Sequence, residues 1–236
     1  MLKRSFDFTL AGFLLVLTLP LVAIAALVIQ LETGDSAMFG QCRMGRGFKT
    51  FKLWKLRTMR AGLAESAFTL GADPRITHVG WWLRRFKIDE LPQLWNVVRG
   101  DMSLVGPRPV LPELTQEFRP HYERLLAARP GLTDPATVKY CREVEILSLV
   151  LDPLDYFKRV IVPDKLNISD EYLRRATVRS DLVVLMQTVI ALLPSLAPFA
   201  ARKAAMEAVL VAVNARRMTG GVQPSHSQLS MEVGKT

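Results

Sequence analysis

The sequence predicts an α+β fold, mostly α, hung on an N-terminal membrane helix. Three features carry that reading: an uncharged apolar run at the start, a basic hairpin after it, and then short helices separated by proline and glycine. The run "FTLAGFLLVLTLPLVAIAALVI", Phe8 to Ile29, has no charged residue over 22 positions. As a straight helix it would be roughly 33 Å long, enough to cross a hydrocarbon core.

Three readings of this run compete. Lys3 and Arg4 before it and Ala23-Ile24-Ala25 within it mimic a secretory signal, but the apolar stretch is too long and nothing after it looks secreted. A single span is the plain default. Against it, Pro20 lies mid-run, where a proline removes one backbone bond and bends a helix. Both flanks are also basic, with Lys3 and Arg4 before and Arg43, Arg46 and Lys49 after, so the positive-inside rule draws both ends to the cytoplasm. A bent, re-entrant helix satisfies both observations, and residues 1–35 are read as that anchor.

Ser36 to Ala64 contains no acid and seven Lys or Arg. "MFGQCRMGRGFKTFKLWKLRTM" reads as a β-hairpin turning at Gly45-Arg46-Gly47. Its alternation sends Phe51, Leu53, Lys55 and Arg57 to one face and Lys52, Trp54 and Leu56 to the other. "DPRITHVGWWLRRFK" turns at Asp73-Pro74 and becomes helical near Thr77. Trp81, Trp82, Leu83 and Phe86 then either pack inward or lie in a membrane interface. A helix over about 90–98 stops at Gly100, another spans 110–128, and "RPGLTDPA" is a turn. Short helices broken at Pro153 and Pro163 follow, then a long one over about 178–193. Residues 36–193 are thus the catalytic part, and 194–236 an Ala-rich amphipathic segment with a polar tail read as disordered.

Half the residues are hydrophobic, yet formal net charge is +9. That suits a protein working against an anionic membrane, nucleic acid or phosphorylated substrate. Cys42 and Cys141 make no disulfide framework, and His78, His121 and His226 give no zinc signal.

"KIDELPQLWNVVRGDMSLVGPRP" sets Asp89 beside Glu90. Asp89 is a good helix N-cap, and Pro92 is tolerated in a first turn, though it removes an amide that a cap would use. The same place would keep Asp89 ionised through the positive end of the helix, as a carboxylate nucleophile requires. Glu90 could then hold a cation or proton. Arg84, Arg85 and Lys87 precede the pair; Arg99 and Arg108 follow. Carboxylates among cations compose a magnesium-assisted phosphoryl-transfer site. The residues alone leave cap and catalyst both open.

That string, with "GQCRMGRGFKTFKLWKLRTM" and "DPRITHVGWWLRR" before it and "RPGLTDPATVKY" and "RSDLVVLMQTVIALL" after it, resembles the bacterial sugar transferases, the monotopic polyprenyl-phosphate phosphoglycosyl transferases. The resemblance runs over about residues 2–193 in order. It implies transfer of a sugar 1-phosphate from a UDP-sugar to undecaprenyl phosphate, with UMP released, as the first membrane step of a surface glycan such as an exopolysaccharide, O-antigen or capsule. It implies Asp89 as the nucleophile forming a phosphosugar-aspartyl intermediate, Glu90 with Asp89 holding Mg2+, and Lys55, Arg84 and Arg108 on substrate phosphate. It also implies amphipathic helices in the interface of the bacterial inner membrane, with the catalytic part on the cytoplasmic face. Lys52, Arg57 and Arg85 are read as solvated or lipid-facing charge.

Two departures stand out. Leu19-Pro20 replaces the family's frequent Ser-Pro at the break, leaving Thr18 to supply a hydroxyl. Asp134-Pro135-Ala136-Thr137 replaces the Gly-Trp-Ala-Gln of some relatives, so the sugar pocket is unread. Met1 lies just before the anchor, which points to the minimal single-domain form. The expected partners are UDP-sugar, undecaprenyl phosphate and membrane lipids, with no nucleic acid; a homodimer is a further candidate, Ala-rich 197–216 either completing it or binding membrane. The rival reading is a membrane-tethered basic protein that binds nucleic acid or a partner through "FKTFKLWK". A third makes the chain a non-catalytic anchor, which would leave Asp89 and Arg108 without a role.

Overall fold

The computed structural model describes residues 2–60 and 73–192; the expected amphipathic segment and tail at 194–236 lie outside the described residues. The described residues all belong to one compact unit. They begin with α1 (Leu2–Thr33), the one described helix long and apolar enough to cross a membrane. The expected hairpin follows as β1 (Met38–Met44) and β2 (Thr50–Leu56), antiparallel with Arg43 opposite Phe51 and Phe39 opposite Lys55. Next come α2 (His78–Arg85), α3 (Gln93–Arg99), β3 (Ser103–Val105), α4 (Pro112–Glu117), α5 (Arg119–Leu125) and β4 (Gly131–Thr133). The remainder is helical: α6 (Pro135–Lys139), α7 (Glu143–Leu147), α8 (Pro153–Tyr156), α9 (Val162–Arg174) and α10 (Val178–Leu192).

Helix α1 runs unbroken through Pro20. The Thr18 hydroxyl donates to the Leu14 carbonyl at 2.7 Å, the kind of local back-bond that eases a bend. Its two ends are fastened to the same body. Near the N-terminus, Ala11 joins a core with Leu53, Leu94, Val97, Met102 and Leu104. Near the C-terminus, Ala25 and Ile29 join Ala37, Leu56 and Leu83. Between these anchorages Val16, Leu17, Leu19, Leu21 and Ile24 are exposed.

The polar groups at both ends reinforce this. Arg4 donates to the Val97 and Val98 carbonyls at 2.6 and 2.7 Å, satisfying the C-terminal end of α3. Lys3 pairs with buried Asp181 at the start of α10. Buried Asp7 accepts from the Ser103 hydroxyl at 2.7 Å and the Leu104 amide at 3.3 Å. At the far end, Glu32 accepts from the His78 and Val79 amides at 2.8 and 3.1 Å, beside the Thr77 hydroxyl that caps α2 by accepting from Gly80. Lys3 and Arg4, topological signals in the sequence, are therefore also structural fasteners.

Four local expectations need correction. "RPGLTDPA" is more than a turn: Gly131–Thr133 forms β4, parallel to β3 with Ser103 opposite Gly131. Residues 110–128 form two helices, broken at Phe118, whose backbone leaves the helical region at φ −118°, ψ 33° just before Pro120. Pro163 does not break its helix. A π-helical turn, Phe157–Ile161, precedes it, with the Val162 amide bonding to the Phe157 carbonyl. The shifted register supplies the slack that a residue without N–H requires. The helix expected over 90–98 begins at Gln93, after Pro92 at its N-cap position. It ends at Gly100, as its φ of 91° requires of a residue without a side chain.

The β3–β4 pair positions the Gly-Pro-Arg-Pro loop. The Gly106 amide donates to the Thr133 carbonyl at 3.0 Å, and the Gly131 amide to the Pro107 carbonyl at 2.8 Å. These backbones pass so closely that a Cβ on Gly131 would fall 2.1 Å from the Gly106 nitrogen. From the other side, the Met44 amide of β1 donates to the Val110 carbonyl at 2.9 Å. Arg108 is thus held between β4 and β1. Gly131→Ala should part the two strands and lower the thermal midpoint of the full chain by about 5–10 °C. An unchanged midpoint would show that the close approach is dispensable.

Candidate active site

Asp89 is not a helix cap. The chain leaves α2 through Lys87 in the left-handed region, φ 56°, and enters a 3-10 turn over Ile88–Glu90. Pro92 precedes α3 at its N-cap position, and no side chain caps that helix. The tight turn forced between Lys87 and Pro92 places Asp89 inside the body, 8% exposed, instead of at the mouth of a long helix. A non-glycine residue at positive φ is costly, and such strain clusters at functional turns.

Burial, not the helix dipole, governs the Asp89 carboxyl. Loss of solvent raises it to about 6; the neighbouring Glu90 adds to the rise, and Lys55, Lys87 and Arg84 oppose it. It still ionises below neutral pH. Its Oδ1 is buried without a hydrogen-bond partner, an unusual state for a carboxylate oxygen inside a protein.

Glu90 is treated in the opposite way. Burial works against its charge, but Arg108, Lys87 and Lys55 outweigh it and hold its carboxyl below the usual range. Arg108 grips both oxygens, Nη2 to Oε1 at 2.6 Å and Nη1 to Oε2 at 3.2 Å, the two-pronged geometry that a guanidinium matches best. The same contact raises the Arg108 guanidinium above its ordinary value. Lys87 lies 4.0 Å from Glu90.

The structure brings together all five polar residues expected at the site. Lys55, on β2, is pushed down to about 8 by burial, with Glu90 opposing and Arg108 and Arg43 adding to the fall. Arg84, on α2, donates from Nε to the Thr58 hydroxyl at 2.8 Å and feels the Asp89 charge. Pro20, by contrast, is an exposed residue of α1. Lys52 stacks over Trp54 at 4.3 Å, Arg57 over Phe39 at 5.6 Å and Arg85 over Trp81 at 5.1 Å, so these three cations cover aromatic rings. Trp81 and Trp82 are exposed while Leu83 is buried. Within the basic stripe Lys52 and Arg57 thus cover rings and Lys55 faces the acid pair, while Arg46 and Lys49 are exposed.

Two residues at the site escaped the sequence reading. Arg43 has a buried Nε without a partner, as does the Nε2 of Gln93, four positions after Asp89. The same-face alternation in "FGQCRMG" was the available signal for Arg43. Gln93 carried none, since a glutamine in a helix's first turn is ordinary. Asn96, fully buried, stitches the site's two walls together: it accepts from the Trp54 amide at 3.1 Å and donates to the Lys52 carbonyl at 2.8 Å.

Among the described residues no group of three or more His, Cys, Asp or Glu is arranged around a metal position. Two adjacent carboxylates nonetheless fit an ion such as magnesium, which takes one or two protein oxygens and completes its shell with phosphate and water. The unpartnered Asp89 Oδ1 is the observation that fits. Glu90 could add only the lone pairs Arg108 leaves unused.

Comparison with known proteins gives the class. Residues 1–195 match the family model described as bacterial sugar transferase. The chain belongs to that family. It is 34% identical over 196 residues to an undecaprenyl-phosphate glucose phosphotransferase of Komagataeibacter xylinus, covering 79% of this chain and 35% of the relative. It is 46% identical over 145 residues to a UDP-glucose:undecaprenyl-phosphate glucose-1-phosphate transferase of Caulobacter vibrioides, covering 59% of this chain and 54% of the relative. It is 42% identical over 151 residues to an exopolysaccharide production protein of Rhizobium leguminosarum, covering 60% and 75% of the two chains.

Replacing Arg108 should expose how much the Glu90 contact is worth. Arg108→Ala leaves a mostly buried carboxylate without its fork and should destabilise the chain by about 1–3 kcal/mol. Arg108→Lys should recover only part, because an ammonium cannot grip both oxygens. Denaturant unfolding of the full chain in detergent measures both; equal stability of all three proteins would contradict the pairing.

Proposed function

We propose that this protein transfers a sugar 1-phosphate from a UDP-sugar to undecaprenyl phosphate, giving undecaprenyl-diphosphate-sugar and UMP. The observation that carries the proposal is the unpartnered buried oxygen of Asp89 beside a Glu90 already neutralised by Arg108, in a chain of this family. Asp89 is the one carboxylate of the pair with an oxygen free to act. The Asp89 oxygen that does not hold the metal attacks the β-phosphorus of the UDP-sugar, forming an aspartyl–phosphorus bond as the bond to the α-phosphate oxygen breaks and UMP departs. An oxygen of undecaprenyl phosphate then attacks the same phosphorus, and the Asp89 carboxylate leaves unchanged. Two half-reactions through one covalent intermediate give ping-pong kinetics.

Arg108, Arg84 and Lys55 bind phosphate oxygens, where charge spread over the transferring group needs fixed cations. Lys55 is suited to this because its burial makes an anionic neighbour the more favourable. Asp89 and Glu90 would hold magnesium, which when bound neutralises charge on the diphosphate. The Rhizobium relative's name, an exopolysaccharide production protein, supports reading this reaction as the first membrane step of a surface glycan.

The proposed seat is the cytoplasmic face of the bacterial inner membrane. Helix α1 enters the bilayer and returns to the same face, bent near Pro20. The support is that α1 is fastened at both ends to one compact body, while its apolar middle is bare. A crossing helix would have to leave that body behind at one end. The exposed apolar side chains of α10, Leu182, Val183, Met186, Val189 and Ile190, together with Trp81 and Trp82, suit an interfacial seat.

Incubated with UDP-sugar and no acceptor, the wild-type chain should release UMP in a burst of about one per enzyme molecule, and Asp89→Asn should release none. Full release by that variant would remove Asp89 from the chemistry. For the anchor, single cysteines at Lys3 and the exposed Arg46 should both stay unlabelled by an impermeant reagent added outside intact cells. Labelling of just one would defeat the re-entrant arrangement.

A further inference from the structure

We propose that Arg43 is a further substrate contact, a guanidinium that binds the diphosphate of the nucleotide-sugar alongside Arg108. The assignment rests on the transfer reading above and deepens it.

The hairpin register places Arg43 where this is feasible. Arg43 is opposite Phe51 and Phe39 is opposite Lys55, so Arg43, Gln41 and Lys55 share one face. It is the face from which Lys55 reaches the acid pair. The end of β1 is bonded to the loop that carries Arg108, through the Met44 amide and the Val110 carbonyl. Two guanidinium groups therefore stand on backbones tied to one another. Arg43 feels Arg108 as its strongest like-charge neighbour and Glu90 as its strongest opposite one.

The internal contacts do not satisfy this side chain. Its Nη2 donates to Gln41 Oε1 at 2.7 Å, which fixes the guanidinium plane. Its Nε is buried and unpaired. Glu90, the carboxylate it senses most, is already gripped on both oxygens by Arg108. Cations around the pair, Arg43, Lys55, Arg84, Lys87 and Arg108, outnumber Asp89 and Glu90 even with Glu113, a further acid near Arg43, added. A second half-buried guanidinium that feels the charge of the first is unfavourable unless anions balance the two. A diphosphate supplies such an anion, with oxygens spaced for two forks. Only three buried side-chain atoms among the described residues are orphaned, and one of the others belongs to Asp89.

The test is direct binding of inorganic pyrophosphate to the full chain in lipid nanodiscs, by calorimetry, followed by UDP-sugar turnover. Arg43→Gln should weaken pyrophosphate binding about tenfold or more, with a thermal midpoint close to wild type. The KM for UDP-sugar should rise in parallel while that for undecaprenyl phosphate holds. Arg43→Lys, which keeps the charge without the fork, should fall between, and it carries the test if the glutamine variant does not fold. Unchanged pyrophosphate affinity in either folded variant, or no pyrophosphate binding by wild type, would overturn the assignment. A wild-type chain that binds pyrophosphate through Arg43 yet releases no UMP from any UDP-sugar would sink the transfer reading and leave Arg43 as an anion contact.

Discussion

The two-pronged contact between Arg108 and Glu90 is the interaction on which the site depends. Two adjacent carboxylates within a protein body repel, and burial penalises both charges. Arg108 resolves this unequally. It commits Glu90 to the ionised state and leaves the cost of burial on Asp89, whose carboxyl rises to about 6. One acid becomes a fixed charge and the other remains a free oxygen. The division works only because Arg108 cannot wander: the β3–β4 pair and β1 hold its loop from both sides.

The same body also disciplines the apolar helix. Arg4 and Glu32, at opposite ends of α1, satisfy backbone groups at the end of α3 and the start of α2. These two helices flank the turn that bears the acid pair. Helix α1 is thereby a structural member of the site's walls, and a change in its pose would be felt at Lys87–Glu90 through only two short helices.

How much of this was legible in the sequence divides along physical lines. Local signals are legible: the glycine-rich turn of the hairpin, the helix start near Thr77, Gly100 as a stop, and the long final helix. What failed depended on distant partners. Strand β4 is three residues beside a proline, and nothing in "GLT" announces a partner at Ser103–Val105. Pro163 looked like a break because the compensating π turn has no sequence signature. Asp89 looked like a cap because Lys87 gives no hint of a positive φ. At the site, family likeness supplied the residues that make up the cluster, but not Arg43 or Gln93, whose unpaired atoms exist only once the chain is folded. Lys3 and Arg4 were read as topological charge, and their bonds to α10 and α3 could not be seen before the tertiary structure.

The central claim is that the divided acid pair makes Asp89 the covalent carrier. It is tested most directly by mass spectrometry of the wild-type chain quenched in acid after mixing with UDP-sugar alone. The account predicts an added sugar-phosphate mass, confined to the peptide containing Asp89 and removed when undecaprenyl phosphate is supplied before the quench. UMP release with no mass gained, or the mass found on another residue, would contradict it.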